Sequence, residues 1–205
     1  MRMASGLHQR PLQRLRGWSL QRALLVALVR AVAASHTELP AKEWFDISWS
    51  QVRHLLPKDV PVLHAGCGTS SWPRDMAAEG VEAVHTDGSA ALIYDLQRRH
   101  PDIRFEAADS RALPFDTGEF GVVMEKGMLD ALLQTSKASA LAAAAELRRV
   151  LRAGGALLSF SALGNALRDA GVLGDGFCES QVFVELLPAA SSGHPVGAYV
   201  CRTPG

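Results

Sequence analysis

Five short apolar runs alternate with helical stretches through residues 60–161 of this 205-residue chain. The runs are Val60–Ala65, Val81–Thr86, Ile103–Ala107, Phe120–Met124 and Ala156–Ser161. Runs of this length suit strands, and the fourth, mostly apolar, suits a central parallel strand buried on both faces. The stretches between them carry helix signals. Ser71 can cap a helix that holds Pro73 in its first turn and stops at Gly80. Ala90–Arg99 stops before Pro101, Gly127–Leu133 opens a helical stretch, and Ala138–Leu151 is rich in alanine. Upstream, Ser48–Leu56 reads as a helix stopped by Pro57, with Trp49, Val52 and Leu56 on one face. Strands joined by helices pair in parallel, and right-handed crossovers wind them into an open sheet covered on both sides. Gly154-Gly155 reads as the turn into the fifth strand.

The end of the chain breaks the pattern. Gln181–Leu187 and Gly197–Arg202 read as two strands with the Ser191-Ser192-Gly193 turn region between them. No helix fits there, so they should form an antiparallel hairpin. The expected fold class is α/β: a Rossmann-like, doubly wound, mostly parallel seven-stranded sheet ending in an antiparallel hairpin.

Open parallel sheets bind ligands beyond the carboxyl ends of their strands. Four loops of this chain occupy such ends. Gly66-Cys67-Gly68 follows the first run, and glycine there lets the backbone turn sharply and approach a ligand. The third glycine of a dinucleotide fingerprint is replaced by the Ser70–Trp72 region, which disfavours a pyrophosphate cradle. Asp87 ends the second run, about 20 residues on, where a carboxylate can accept both hydroxyls of a ribose; the competing reading is a helix cap. Asp109-Ser110 follows the third run and can meet an adenine edge, or can simply form a local turn. Glu125-Lys126-Gly127 follows the fourth run, facing a ligand or making a salt bridge at a helix start. Each feature alone is weak. Their occurrence in order at successive strand ends points to an adenosine-type ligand without phosphates, such as S-adenosylmethionine.

Val62-Leu63-His64-Ala65-Gly66-Cys67-Gly68-Thr69-Ser70 resembles the first motif of the seven-β-strand methyltransferases. Residues 120–133, Phe-Gly-Val-Val-Met-Glu-Lys-Gly-Met-Leu-Asp-Ala-Leu-Leu, resemble the fourth-strand motif of a methyltransferase-like group of protein-lysine methyltransferases. That group includes enzymes acting on elongation factor 1-alpha and on mitochondrial citrate synthase. Residues 147–155 resemble the usual approach to the fifth strand, and Glu43-Trp44-Phe45-Asp46 an aromatic segment before the domain. The resemblance covers roughly residues 43–162. It implies S-adenosylmethionine as cofactor, with Gly66, Cys67, Gly68, Asp87, Gly88, Asp109, Ser110 and Lys126 around it. It implies that Trp44, Phe45, Glu125, Leu129 and Asp130 face the methyl end and a protein substrate. The chain departs from the wider superfamily at His64, where Asp is frequent, and Lys42 stands where an aromatic residue is expected.

The resemblance favours a methyltransferase acting on a protein lysine. A small-molecule methyltransferase and a catalytically silent binding protein of the same fold are the alternatives. No residue stands out as a general base. Glu125 and Asp130 can orient an amine, while His54, His64 and His85 read as packing or loop residues. No metal-ligand spacing is present.

Composition limits partners and surroundings. Lys plus Arg and Asp plus Glu number 21 each, so the formal charge is zero and a broad nucleic-acid face is not indicated. No run of about 18 apolar residues marks a membrane span. Cys67, Cys178 and Cys201 fit neither a zinc site nor a disulfide framework, which suggests a reducing compartment. Residues 1–37 form a basic extension free of Asp and Glu, with an amphipathic helix expected from Ser19 to Ala34. It resembles a mitochondrial transit peptide. A secretory signal, a surface helix and a disordered tail are the other readings, and a cytoplasmic location is the alternative to the mitochondrion. The methyltransferase domain is expected over 38–205.

Overall fold

The apolar runs assemble into one seven-stranded sheet with helices on both faces. The computed structural model describes residues 43–173, 180–187 (backbone only) and 196–202. Its strands are β1 (Val62–Ala65), β2 (Ala83–Asp87), β3 (Arg104–Ala107), β4 (Phe120–Lys126), β5 (Leu151–Ser161), β6 (Ser180–Leu187) and β7 (Val196–Arg202). Its α-helices are α1 (Trp49–Val52), α2 (Trp72–Ala78), α3 (Ala90–Arg99), α4 (Met128–Thr135), α5 (Lys137–Val150) and α6 (Gly164–Asp169). The basic extension, its expected helix and the Ser191–Gly193 turn lie outside the described residues.

Spatial order in the sheet is β3-β2-β1-β4-β5-β7-β6. The first five strands are parallel neighbours, and β7 runs antiparallel to both β5 and β6. The chain therefore winds outward from β1 to β3, then returns to lay β4 on the other side of β1. That reversal opens a crevice at the strands' carboxyl ends. Register aligns those ends: Ala65 pairs with both Thr86 and Glu125, and Asp87 pairs with Ala107.

Side chains alternate between two apolar layers, as the two-residue period of a strand requires. Leu63, Ala65, Val123 and Leu157 face the α5 side, where Ala140, Ala143, Ala144 and Leu147 let that helix approach closely. Val62, Val122, Met124, Leu158 and Phe160 face the other side, against Trp49, Trp72 and Met76. All seven residues of β4 are buried. Each large side chain so buried contributes about 1.5–3 kcal/mol of transfer free energy.

Several boundaries differ from the sequence reading. The expected turn at Gly154-Gly155 lies inside β5, whose pairing with β4 jumps from Phe120–Leu151 to Val122–Ala156. The glycines there mark an irregularity in a strand, not its start. The helix expected over 48–56 is one α-turn followed by a 3-10 turn, Arg53–Leu55. Helix α6 was not foreseen; its six residues are too few to show a period. The thiol expectation also fails at one position: Cys67 is a buried free thiol, whereas Cys201 on β7 is disulfide-bonded. Among the described residues no helix is long and apolar enough to cross a membrane, and no cluster of three or more His, Cys, Asp or Glu could hold a metal.

Candidate functional site

The carboxyl ends of β1 to β4 surround an open cavity of about 690 Å³. Each strand end contributes through a locally explicable turn. After β1 the chain reverses at Gly66, whose φ is +66°. A Cβ on Gly66 would come within 2.7–2.9 Å of the Met128 side chain, so only glycine fits beside α4. After β2, Asp87 folds its carboxylate back onto two loops: one oxygen accepts the Gly68 N–H at 3.1 Å and the other the Ser89 N–H at 2.9 Å. Each carboxylate oxygen retains a second lone-pair site for a ligand hydroxyl. After β3, Ala108, Asp109 and Ser110 form one wall, and after β4, Lys126, Gly127 and Met128 form another. Gly127 is left-handed at φ +74° and lies so close to Trp44 and Phe45 that a Cβ there would press on both rings at 3.3 Å.

The cavity gathers seven of the eight residues assigned to the cofactor from sequence: Gly66, Gly68, Asp87, Gly88, Asp109, Ser110 and Lys126. Cys67 is not among its lining. Its side chain turns into the core beside Ile93 and Phe105, and burial pushes its thiol up to about 12, so it stays protonated. Of the residues expected to face substrate, Trp44 lines the cavity and is 43 % exposed. Phe45 is half-buried against the second apolar layer. Glu125, Leu129 and Asp130 turn inward and are buried. Glu125 accepts the Met128 and Leu129 N–H groups at 2.9 and 3.1 Å, together with the Ser159 hydroxyl, and so caps α4. Asp130 accepts the Ser161 hydroxyl at 2.6 Å and the Ala162 N–H at 3.0 Å.

Two charged groups on the rim are paired by neighbours. Arg111 clasps Asp109 through Nε at 2.9 and 3.1 Å and through Nη2 at 2.6 Å. Those hydrogen bonds hold the Asp109 carboxyl down to about 2. Lys126 donates to Glu43 and, at 3.2 Å, to Ser70 Oγ, and lies 4.0 Å over the Trp72 ring. Burial lowers the Lys126 ammonium below its usual range, with Glu43 opposing that trend. Burial alone would raise Glu43, but Lys126, the Ser71 N–H and Ser70 together pull it below the ordinary carboxylate range.

His64 does not reach the cavity. Its fully buried ring faces Trp72 and the His85 ring, Nδ1 to Nδ1 at 3.2 Å. Burial first, then the neighbouring His85 and Lys126, depress His64 well below the usual histidine range; burial brings His85 to about 4. Both rings are therefore neutral at physiological pH and serve packing.

Sequence reasoning missed several lining residues. Met128, Ala131, Leu132 and Thr135 form one face of α4, a helical stripe that was legible as such. Arg111, two positions after Asp109, carried a readable pairing signal. Glu43 carried none, because its partners lie 27 to 83 residues away.

The lining suits S-adenosylmethionine. Glycines admit a close ligand, Asp87 can hold hydroxyls, and Ala108, Met128 and Leu132 supply apolar wall. Residues 62–155 match the family model described as methyltransferase domain. A demethylmenaquinone methyltransferase of Beutenbergia cavernae is 38% identical over 97 residues, 47% of this chain and 37% of that protein. EEF1A lysine methyltransferase 4 of Mus musculus is 38% identical over 99 residues, 44% of this chain and 38% of that protein. The chain thus spans well under half the length of these relatives. A TehB-like SAM-dependent methyltransferase from Corynebacterium glutamicum shares the fold at TM-score 0.60 and 16% identity, over 90% of this chain and 100% of that one. Strand order and glycine loop agree with that match: residues 62–155 are similar to a methyltransferase domain, and the chain has the fold of SAM-dependent methyltransferases.

Proposed function

We propose that this domain transfers a methyl group from S-adenosylmethionine to a lysine side chain of a protein. The observation that carries the reading is the convergence of Gly66, Gly68, Asp87 and Asp109 on one cavity whose lining also includes an exposed aromatic, Trp44. Two arms of acceptor chemistry, after β2 and β3, serve the adenosine. The methyl end then falls to the side formed by Lys126, Gly127 and Trp44.

When bound, the cofactor supplies an electrophilic methyl on a sulfonium. What remains for the chain is to orient the acceptor and keep it neutral. A lysine amine attacks only after losing its proton, and an apolar, partly desolvated approach lowers its pKa. Trp44 and the α4 face supply such an approach. Glu125 and Asp130 are committed to capping and to β5, so neither is assigned as a base.

The likeness to an EEF1A lysine methyltransferase supports the protein substrate. The likeness to a demethylmenaquinone methyltransferase supports a second reading, a small apolar acceptor. Incubation with methyl-labelled cofactor and a cell extract separates them. Label recovered as methyl-lysine in protein is the expected result. Label confined to the organic-soluble fraction would replace it with the second reading. Absence of cofactor binding by calorimetry would leave a silent, methyltransferase-like binding protein. The basic residues 1–37 favour mitochondrial delivery within this reading, testable by fusing them to a fluorescent protein and observing where it accumulates.

A further inference from the structure

Residues 43–47 make one irregular turn ahead of α1, and one of its side chains, Trp44, lines the cavity. Local preferences oppose this turn. Phe45 and Asp46 adopt φ of 65° and 53°, a region that costs non-glycine residues energy. The backbone hydrogen bond that closes it, from the Asp46 N–H to the Glu43 carbonyl, is long at 3.3 Å.

What holds the turn comes from distant parts of the chain. Lys126, the last residue of β4, donates to both of its ends: to the Glu43 carboxylate and, at 3.5 Å, to the Ile47 carbonyl. A third bond runs to Ser70 Oγ at 3.2 Å. An ammonium has three donors, and these acceptors use all of them. Lys126, with a side chain 2% exposed, is therefore a satisfied buried cation and not a group offered to a ligand. Glu43 also accepts from Ser70 Oγ at 2.9 Å and from the Ser71 N–H, which ties the turn to the loop after β1. The Ile47 carbonyl accepts the Trp72 indole N–H at 3.0 Å. Between these anchors Trp44 and Phe45 fold over the Gly127 backbone.

Anchor and wall are different residues. Glu43 is not part of the cavity lining, whereas Trp44, the next residue, is. The Trp44 ring is 43% exposed, so the backbone on either side does much to set its place. Neutralising Glu43 would strip a buried cation of its ion-pair partner, which is costly. The strain at Phe45 and Asp46 would then go unopposed at one end. The turn should loosen, and the Trp44 ring with it.

We propose that Glu43 is a positioning residue: through Lys126, Ser70 and Ser71 it pins the 43–47 turn so that Trp44 stands as a wall of the cofactor cavity. This rests on the cavity being the cofactor site. Glu43 acts through Trp44. A ligand that contacts Trp44 therefore stabilises the pinned turn, and the pinned turn strengthens the ligand by the same factor.

The test has two readouts, and the first needs no ligand. Hydrogen exchange followed by mass spectrometry compares wild type with Glu43→Gln, which keeps an amide oxygen for Ser70 and Ser71 and should fold. Peptides covering residues 43–49 should exchange about 10–100-fold faster in the variant, with α5 and β5 within about twofold of wild type. The second readout is affinity for S-adenosylhomocysteine by calorimetry. Trp44→Ala and Glu43→Gln should each weaken it about 3–10-fold. The double variant should be within about twofold of Trp44→Ala alone, because Glu43 has nothing left to position. Unchanged exchange at 43–49 overturns the proposal, as does equal acceleration across the whole domain. Additive losses in the double variant also overturn it, since Glu43 would then act by another route. If the wild type binds no S-adenosylhomocysteine, the cofactor reading of the cavity fails, and the exchange result still decides whether Glu43 pins the turn.

Discussion

Asp87, the last residue of β2, and Asp109, just after β3, open on the cavity, whereas Glu125 near the end of β4 and Asp130 in α4 are buried. All four are acids near the carboxyl end of a parallel strand. What separates them is the neighbour across the sheet. β4 lies between β1 and β5, and β5 presents a serine at each critical position: Ser159, the register partner of Glu125, and Ser161, which reaches Asp130. The buried acids have their acceptors filled by a serine hydroxyl each and by backbone N–H groups, of α4 for Glu125 and of Ala162 for Asp130. Asp87 holds only backbone N–H groups at its outer edge. An acid at a strand end thus serves a ligand only where the sheet leaves its lone pairs open.

The largest effect should come from the buried side of this comparison. Glu125→Ala strips the Met128 and Leu129 N–H groups and the Ser159 hydroxyl of their shared acceptor. Losing a cap and stranding buried donors should cost about 2–4 kcal/mol in denaturant unfolding. The pH dependence has a definite sign. Burial, and then the charge of Asp130, raise the Glu125 carboxyl to about 8. The folded state therefore holds a proton that the unfolded state releases at the ordinary value of 4.5. This contribution to stability is complete below that value and fades as pH rises towards 8. Glu125→Gln, permanently neutral, should flatten the profile across that window; an unchanged slope would show that Glu125 is ionised when folded.

Why one kind of acid was legible and the other was not follows from the same contrast. The strands, their parallel order and the glycine loop could be read because they rest on local periodicity and turn chemistry. Asp87 and Asp109 could be placed because successive strand ends share one edge of the sheet. The fate of Glu125 and Asp130 depended on which serines β5 would bring alongside, a register set by packing and by an irregularity at Gly154-Gly155. Glu43 was readable only as part of an aromatic segment, since its role depends on contacts with Ser70, Ser71 and Lys126. Neutral, buried His64 and His85 were correctly assigned to packing.

On the open side, Asp87 should matter most. Asp87→Ala removes the acceptor for Gly68 and Ser89 as well as for ligand hydroxyls. Affinity for S-adenosylhomocysteine should fall about 10–100-fold, with a stability loss of about 1 kcal/mol. Asp87→Asn should fall between wild type and Asp87→Ala, because its single amide oxygen can accept from Gly68 or from Ser89 but not from both. Calorimetric affinity within twofold of wild type in Asp87→Ala would place the ribose elsewhere.

Asp109 should show a smaller effect because Arg111 already engages both of its oxygens. Asp109→Ala is expected to weaken binding about 3–10-fold, less than Asp87→Ala. Arg111→Ala sharpens the point from the opposite direction. If the clasp occupies the acceptor that an adenine amine needs, removing the guanidinium should tighten binding about two- to fivefold, in line with one modest hydrogen bond. The Asp109 carboxyl, held at about 2 with Arg111 present, is ionised at pH 5 and above with or without its partner, so the gain should not vary between pH 5 and 9. Arg111 also lines the cavity, and a guanidinium can stack on a purine. In that case Arg111→Ala would weaken binding, and the double variant Asp109→Ala/Arg111→Ala would be no better than either single one. A tighter single variant whose gain disappears in the double variant would assign the purine contact to the Asp109 carboxylate.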